Sequence, residues 1–200
     1  MNEIKLHIGC GTVYLQGYIN IDANPDGLAC VLPNIVETNK TTVENYYKFG
    51  FKDRPEIAVA DLKATFFEID DALFAKCSIN FVDEICMFHV LEHFPQYEVD
   101  SVITKIYSLL KPHGKFRVAV PDFDNIILEY ADKLKNGIKE EEKEWYFRFI
   151  HGTQKNKWSH HYCGYNKYRL IKMLEKHGFT SFENLPNQNF YPAVHVLAIK

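Results

Sequence analysis

Small, acidic and imidazole side chains follow several apolar runs of this chain, at places where they could bind a ligand or move a proton. A glycine pair lets a ligand approach the backbone without a Cβ in the way. A carboxylate can accept hydrogen bonds from a ribose diol or an exocyclic amine, and an imidazole can take a proton near pH 7. The residues concerned are Gly9, Cys10, Gly11, Asp22, Asp61, Leu62, Phe88 and His89.

The elements that must position these residues are strands and helices in alternation. Alternating or continuous apolar character predicts strands at 4–8, 18–22, 57–61, 81–88, 116–120 and 194–199. Apolar stripes with helical spacing predict helices over 99–110, 123–134, 140–150 and between Asn166 and Gly178.

This alternation predicts a parallel sheet covered on both faces. In such a sheet the ligand lies beyond the carboxyl ends of the strands, so residues from five separate places would meet along one edge. Each residue alone is also typical of a turn or a helix cap. Taken in order, the glycine pair and the two carboxylates predict a site for an adenosine-containing cofactor.

Other nucleotide sites are disfavoured by the sequence. The dinucleotide fingerprint needs a third glycine where Tyr14 stands, and no phosphate-binding Gly-Lys-Ser/Thr is present. An NAD-dependent enzyme is therefore a minor alternative. The net charge is −3 and the pI about 6.3, so no nucleic-acid partner is expected.

The remaining composition is that of one globular domain over residues 1–200. No apolar run reaches the ~20 residues needed to span a bilayer, so no membrane-spanning segment is expected. The five cysteines are odd in number and form no C-x-x-C pair. They predict reduced thiols in a cytoplasmic protein.

Several segments, in this order, resemble the class I S-adenosylmethionine-dependent methyltransferases, and more closely their small predicted-methyltransferase branch. The resemblance covers roughly residues 4–135. The segments that carry it are 6–11 (LHIGCG), 17–22 (GYINID), 59–62 (VADL), 82–85 (VDEI), 89–93 (HVLEH) and 109–123 (LLKPHGKFRVAVPDF).

The resemblance implies an α/β, Rossmann-like, doubly wound fold with a mostly parallel seven-stranded sheet and an antiparallel last strand. It implies S-adenosylmethionine as cofactor. Gly9, Cys10 and Gly11 would line its methionine part, and Asp22 would hold the ribose. Asp61 and Leu62 would contact adenine, whereas Phe88 and His89 would face the cofactor and the acceptor.

The sequence departs from the family pattern at three places. Val13 stands near the position of a third glycine, and His113 replaces a glycine before the fifth strand. Only residues 12–17 separate the glycine turn from the second strand, whereas a parallel crossover normally takes a dozen or more. The first crossover helix is therefore predicted to be short or missing, and one wall of the pocket could come from residues 41–49.

The acceptor side is predicted from two histidine-containing segments. His89 is the candidate base, and residues 137–165 form a candidate lid or acceptor-side insertion. Metal is not predicted, because the 89–93 segment does not match the H-E-x-x-H zinc pattern. The candidate substrate-binding residues are Trp158, His160, His161 and Tyr162.

These features predict methyl transfer by direct displacement to a small-molecule or glycan-precursor acceptor. The alternative is a non-catalytic binding or interaction protein that keeps the methyltransferase fold. The sequence leaves open whether the acceptor atom is oxygen, nitrogen or carbon, and whether the chain forms a homo-oligomer.

Overall fold

The structure is a computed structural model, and it describes residues 3–23, 40–47, 60–68, 80–187, 189 and 191–200. Its centre is a seven-stranded sheet of the strands β1 Lys5–Ile8, β2 Ile19–Asp22, β3 Leu62–Lys63, β4 Val82–Phe88, β5 Leu110–Pro121, β6 Ser181–Asn184 and β7 Ala193–Ile199. Their order across the sheet is β3-β2-β1-β4-β5-β7-β6. Strand β7 runs opposite to the other six, which confirms the predicted sheet.

Four α-helices accompany the sheet: α1 Gln96–Leu109, α2 Phe123–Asn136, α3 Glu140–His151 and α4 Lys167–Lys176. Asp122 and Asn166 cap α2 and α4, since each side chain accepts a hydrogen bond from a backbone N–H of the first turn. No described helix is long and apolar enough to cross a membrane.

The main core lies between the sheet and α1. Val102, Ile103 and Ile106 on the apolar stripe of α1 are fully buried, and they belong to one cluster with Ile85 and Phe116 of the central strands. This burial explains why the helical spacing in the sequence located α1 correctly.

Two strand predictions need correction at their ends. Residues 57–59 of the predicted 57–61 strand lie outside the described residues, and pairing with β2 begins at Leu62, so Asp61 precedes β3 instead of ending it. Strand β5 begins at Leu110, not Phe116, with a register shift opposite β4. Lys200 contributes to the pairing of this added part, because the N–H of His113 donates to the carbonyl of Lys200 and the N–H of Lys200 to that of Gly114.

The first crossover contains no helix, as the sequence predicts. Tyr14–Leu15 instead forms a short parallel pair with Lys40–Thr41. The fully buried side-chain amide of Asn20 provides hydrogen-bond partners for the backbone of this turn. Its Oδ1 accepts from the N–H of Leu15 (2.8 Å), and its Nδ2 donates to the carbonyl of Leu15 (3.1 Å). One side chain thereby replaces hydrogen bonds that a helix would have supplied.

Residues just beyond this pair cover the sheet where the missing helix would pack. A 3-10 turn at Val43–Asn45 brings the ring of Tyr46 to 4.6 Å from that of Phe88, centroid to centroid. Tyr46, Phe88, Val13 and Leu15 belong to a second buried cluster. Within the described part of the predicted 41–49 wall, residues 41–47 therefore do supply packing.

Candidate active site

The glycine turn after β1 is shaped by two residues in the left-handed region, Gly9 at φ +68° and Gly11 at φ +52°. The N–H groups of Gly9 and Cys10 both donate to the carbonyl of Ile21 in β2. A Cβ on Gly9 would lie 2.3 Å from Cγ2 of Val90, so only glycine fits. The turn is thus held at the edge where β1, β2 and β4 end.

Asp22 lies at the carboxyl end of β2 and contacts this turn directly. Its Oδ2 accepts a hydrogen bond of 2.7 Å from the N–H of Gly11. Burial, with the negative charges of Asp22 and Asp61, raises the pKa of the Cys10 thiol well above its usual range. The two carboxylates therefore lie near one buried thiol, and Cys10 remains neutral and is not a nucleophile.

Asp61 has a different environment from Asp22. Its Oδ1 accepts from the hydroxyl of Tyr14 (2.8 Å), and its Oδ2 accepts from the backbone and side-chain nitrogens of Asn20 (2.8 and 3.2 Å). Burial and the Asp61 carboxylate raise the pKa of Tyr14 to about 12. Both oxygens of Asp61 thus accept hydrogen bonds that stabilise the first crossover. This structural role follows from the position of Asp61 directly before β3. Leu62 next to it is partly buried in β3.

Phe88 ends β4 as predicted, but its ring is enclosed by other side chains. It is 2% exposed and contacts Tyr46 and His195, with ring centroids 4.6 and 5.1 Å apart. The sequence predicts that this ring faces cofactor and acceptor; in the described structure it packs beneath the rings that replace the crossover helix.

His89, the next residue, has a left-handed backbone, at φ +55°, and its imidazole lies 5.7 Å from the ring of Tyr47, centroid to centroid. The amide Nδ2 of Asn189 donates to its Nε2 (2.8 Å), so the proton lies on Nδ1. That nitrogen is 3.0 Å from the hydroxyl of Tyr191 and 3.5 Å from Oε1 of Glu92. The hydroxyl of Tyr191 therefore orients the imidazole, and the Glu92 carboxylate lies close enough to stabilise a positive charge on it, which suits a general base.

Glu92 is a residue that the sequence reasoning missed. Its side chain is 1% exposed, in the 3-10 turn Leu91–His93. Burial by itself would raise the pKa of this carboxyl, but the imidazoles of His89, His93 and His161 outweigh burial and hold it below its usual range. The sequence did contain a signal for this residue, since Glu92 lies between two histidines in the 89–93 segment.

The candidate lid comprises α3 and the irregular segment 152–166, and the four residues predicted there separate. His161 turns inward, with its ring 4.8 Å from that of His93. His160 and Tyr162 stack together at 5.9 Å, nearer the surface, and Trp158 lies beside the ammonium of Lys157. Of these four side chains, that of His161 is the one that contacts a ring in the turn after β4, whereas His160 and Tyr162 contact this turn through their backbone groups.

The family model described as a methyltransferase domain matches residues 8–183 of this chain. The chain belongs to this methyltransferase family. With the sheet order described above, it is a class I enzyme, and S-adenosylmethionine is the methyl donor of that class. No curated protein matches its sequence.

Solved methyltransferases share the fold of this methyltransferase at low sequence identity. An S-adenosylmethionine-dependent methyltransferase from Archaeoglobus fulgidus matches with a TM-score of 0.53 and 13% identity, over 99% of this chain and 86% of the other. A didemethyltoxoflavin N1-methyltransferase from Burkholderia thailandensis, solved with S-adenosylhomocysteine, matches with a TM-score of 0.52 and 11% identity, over 98% and 70%.

The edge residues of the methyltransferase fit an adenosyl cofactor. No described atom lies within 4 Å of the position that a Cβ on Gly11 would occupy, so the turn has open space on that side. Asp22 stands at the end of β2, where a ribose diol would meet a carboxylate. Gly9, Gly11 and Asp22 are the residues that would hold the cofactor.

The methyltransferase also has an open pocket of about 580 Å³, lined by residues at the start of α2 and by residues that lead into β7. Asn189 and Tyr191, which contact the His89 imidazole, belong to its lining. Carboxylates and amides dominate the wall, and no basic residue lines it among the described residues. The full lining is Asp122, Asn125, Leu128, Glu129, Asn187, Asn189, Tyr191, Pro192 and Ala193.

Proposed function

We propose that this methyltransferase methylates a small polar molecule, such as a sugar-like or amine-bearing compound, bound in the pocket beside His89. The observation that supports this proposal is the position of Asn189, which lines the pocket and also donates to Nε2 of His89. An acceptor hydroxyl that replaced this amide would meet the lone pair of the imidazole directly.

The wall chemistry supports a polar, unphosphorylated acceptor. Hydroxyl and ammonium groups are recognised by carboxylate and amide oxygens such as those of Asp122, Asn125 and Asn187. The carboxylates of Asp122 and Glu129 would repel a phosphodiester. A pocket of about this volume suits a small molecule and not a macromolecule.

In this proposal the cofactor supplies an activated sulfonium methyl, and the protein aligns the acceptor and excludes water. Gly9, Gly11 and Asp22 hold the donor at the ends of β1 and β2. His89 takes the proton of an oxygen acceptor, and the Glu92 carboxylate stabilises the imidazolium that forms.

The test is methyl transfer from radiolabelled S-adenosylmethionine to a panel of polar small molecules and glycan precursors. His89→Gln should lower kcat/KM for an oxygen acceptor by about 10²–10⁴ and leave the affinity for S-adenosylhomocysteine within about twofold. An acceptor that is methylated equally well by His89→Gln would contradict the role of His89. Cofactor binding without transfer to any acceptor would favour the non-catalytic alternative.

A further inference from the structure

Three potential metal ligands from distant parts of the chain meet behind His89. Glu92 and His93 belong to the turn after β4, and His161 belongs to the 152–166 segment. One ligand atom from each lies within 4.8 Å of the other two. The backbone holds them together, because the N–H of Tyr162 donates to the carbonyl of Glu92 at 2.8 Å.

Both imidazoles are oriented for metal binding. Nδ1 of His93 lies 2.7 Å from the carbonyl oxygen of His160, and Nδ1 of His161 lies 3.0 Å from that of Phe149. A carbonyl only accepts, so each Nδ1 carries a hydrogen and each neutral ring presents the lone pair of Nε2. Metal-bound histidines usually have such a partner on the other nitrogen.

The Glu92 carboxylate is the observation that requires a ligand. It is 1% exposed, and neither of its oxygens has a hydrogen-bond partner among the described residues. A buried carboxylate without partners is costly unless it is paired or coordinates a metal. Nδ1 of His89, at 3.5 Å, is its nearest potential cation.

We propose that Glu92, His93 and His161 form a binding site for one first-row divalent metal ion, with Zn²⁺ as the preferred ion. Two imidazole nitrogens and one carboxylate oxygen with an open fourth position are a common zinc ligand set. The three ligand atoms would contract from their present spacing to roughly 3.4 Å around a tetrahedral ion.

The site would have a consequence for the candidate lid. It would tie the 152–166 segment to the turn that carries His89, so metal binding would stabilise the folded chain. The sequence did not predict this site, because helical spacing pairs His93 with the nearby His89, whereas the structure pairs His93 with His161, which is distant in the sequence.

The test is a calorimetric titration of the chelator-treated, untagged full chain with Zn²⁺, accompanied by Co²⁺ absorption spectra. We expect one ion per chain with micromolar or tighter affinity, and visible Co²⁺ bands without a thiolate charge-transfer band. Glu92→Gln and His161→Gln should each weaken binding at least about tenfold. His160→Gln, the neighbouring histidine whose ring faces Tyr162, and the exposed His151→Gln are the matched controls.

Several results would overturn the proposal. One is a wild-type chain that binds no Zn²⁺ at millimolar concentration. Another is unchanged affinity in His161→Gln, whose circular dichroism reports whether it folds. A third is a thiolate band, which would assign the ion to a cysteine. If Glu92→Gln fails to fold, His161→Gln and its controls decide the question.

Discussion

The backbone N–H of Gly11 donates a hydrogen bond to Oδ2 of Asp22 over 2.7 Å. This contact joins the turn after β1 to the carboxyl end of β2. The connection between the two strands is short, because only residues 12–18 separate the glycine turn from β2. It fixes one carboxylate at the place where the class I fold receives the ribose of its cofactor. The positions of the residues proposed to bind the methyl donor therefore depend on a crossover that has no helix.

Gly9 and Val90 should behave as a coupled pair. Gly9→Ala adds a Cβ at 2.3 Å from Cγ2 of Val90 and places alanine at φ +68°. We expect it to lower the free energy of unfolding by about 2–4 kcal/mol, from backbone strain and overpacking. Urea unfolding measures the loss.

The double variant Gly9→Ala/Val90→Ala should recover at least about 1 kcal/mol relative to the sum of the single variants. Gly17→Ala is the control, because φ is +83° there but no described atom lies within 4 Å of the added Cβ. Strictly additive losses would show that Val90 does not restrict the turn.

Asn20 should be essential for the helix-free crossover. Asn20→Ala removes the partners of the N–H of Leu15 and of Nδ1 of His7, and one of the two donors to the carbonyl of Leu15. Since each buried group left unpaired costs about 1–3 kcal/mol, we expect a loss of about 3 kcal/mol or more in denaturant unfolding. Asn136→Ala, an exposed position with one hydrogen bond to Asp132, should change stability by less than about 0.5 kcal/mol. Equal effects at the two sites would contradict this account.

The stability of the protein should fall in mild acid because of His7. Burial lowers the pKa of His7 from 6.5 to about 4, so the unfolded chain binds a proton that the folded chain resists. Its contribution is complete above pH 6.5 and is lost as the pH falls towards 4. At pH 5 the loss amounts to about 2 kcal/mol.

The slope of stability against pH is the quantity to measure, by urea unfolding between pH 7.5 and 5. His7→Gln should remove less than half of the fall, because burial also lowers the pKa of His195 to about 4 and lowers the pKa of His161. His151→Gln, at an exposed position, should keep the wild-type slope. If His7→Gln also keeps it, His7 is not the group that senses pH.

The sequence predicts best those features that a local pattern determines. The alternating runs and the stripe of α1 bury one face each, and the shortness of residues 12–17 excludes a crossover helix. Strand β6 was not located, because its residues Ser181–Asn184 are nearly all exposed at the sheet edge and carry no apolar alternation.

Contacts between residues that are far apart in the sequence could not be predicted from it. Asn189 and Tyr191 reach His89 across about a hundred positions, and His161 reaches His93 across a loop. No spacing rule covers such pairs, since only the folded chain brings them together. The same limit explains Asp61: its type suggested a cofactor contact, whereas its hydrogen bonds to Tyr14 and Asn20 depend on the register of β3 against β2.

The most direct test is calorimetric titration of the wild-type chain, Asp22→Asn and Asp61→Asn with S-adenosylhomocysteine. We predict one site per wild-type chain and an affinity at least about tenfold weaker in Asp22→Asn, because a charged hydrogen bond contributes about 1.5–3 kcal/mol. Asp61→Asn should mainly lower stability. An absence of heat in the wild-type chain at millimolar ligand, or equal affinity in Asp22→Asn, would contradict an adenosyl site at this edge of the sheet.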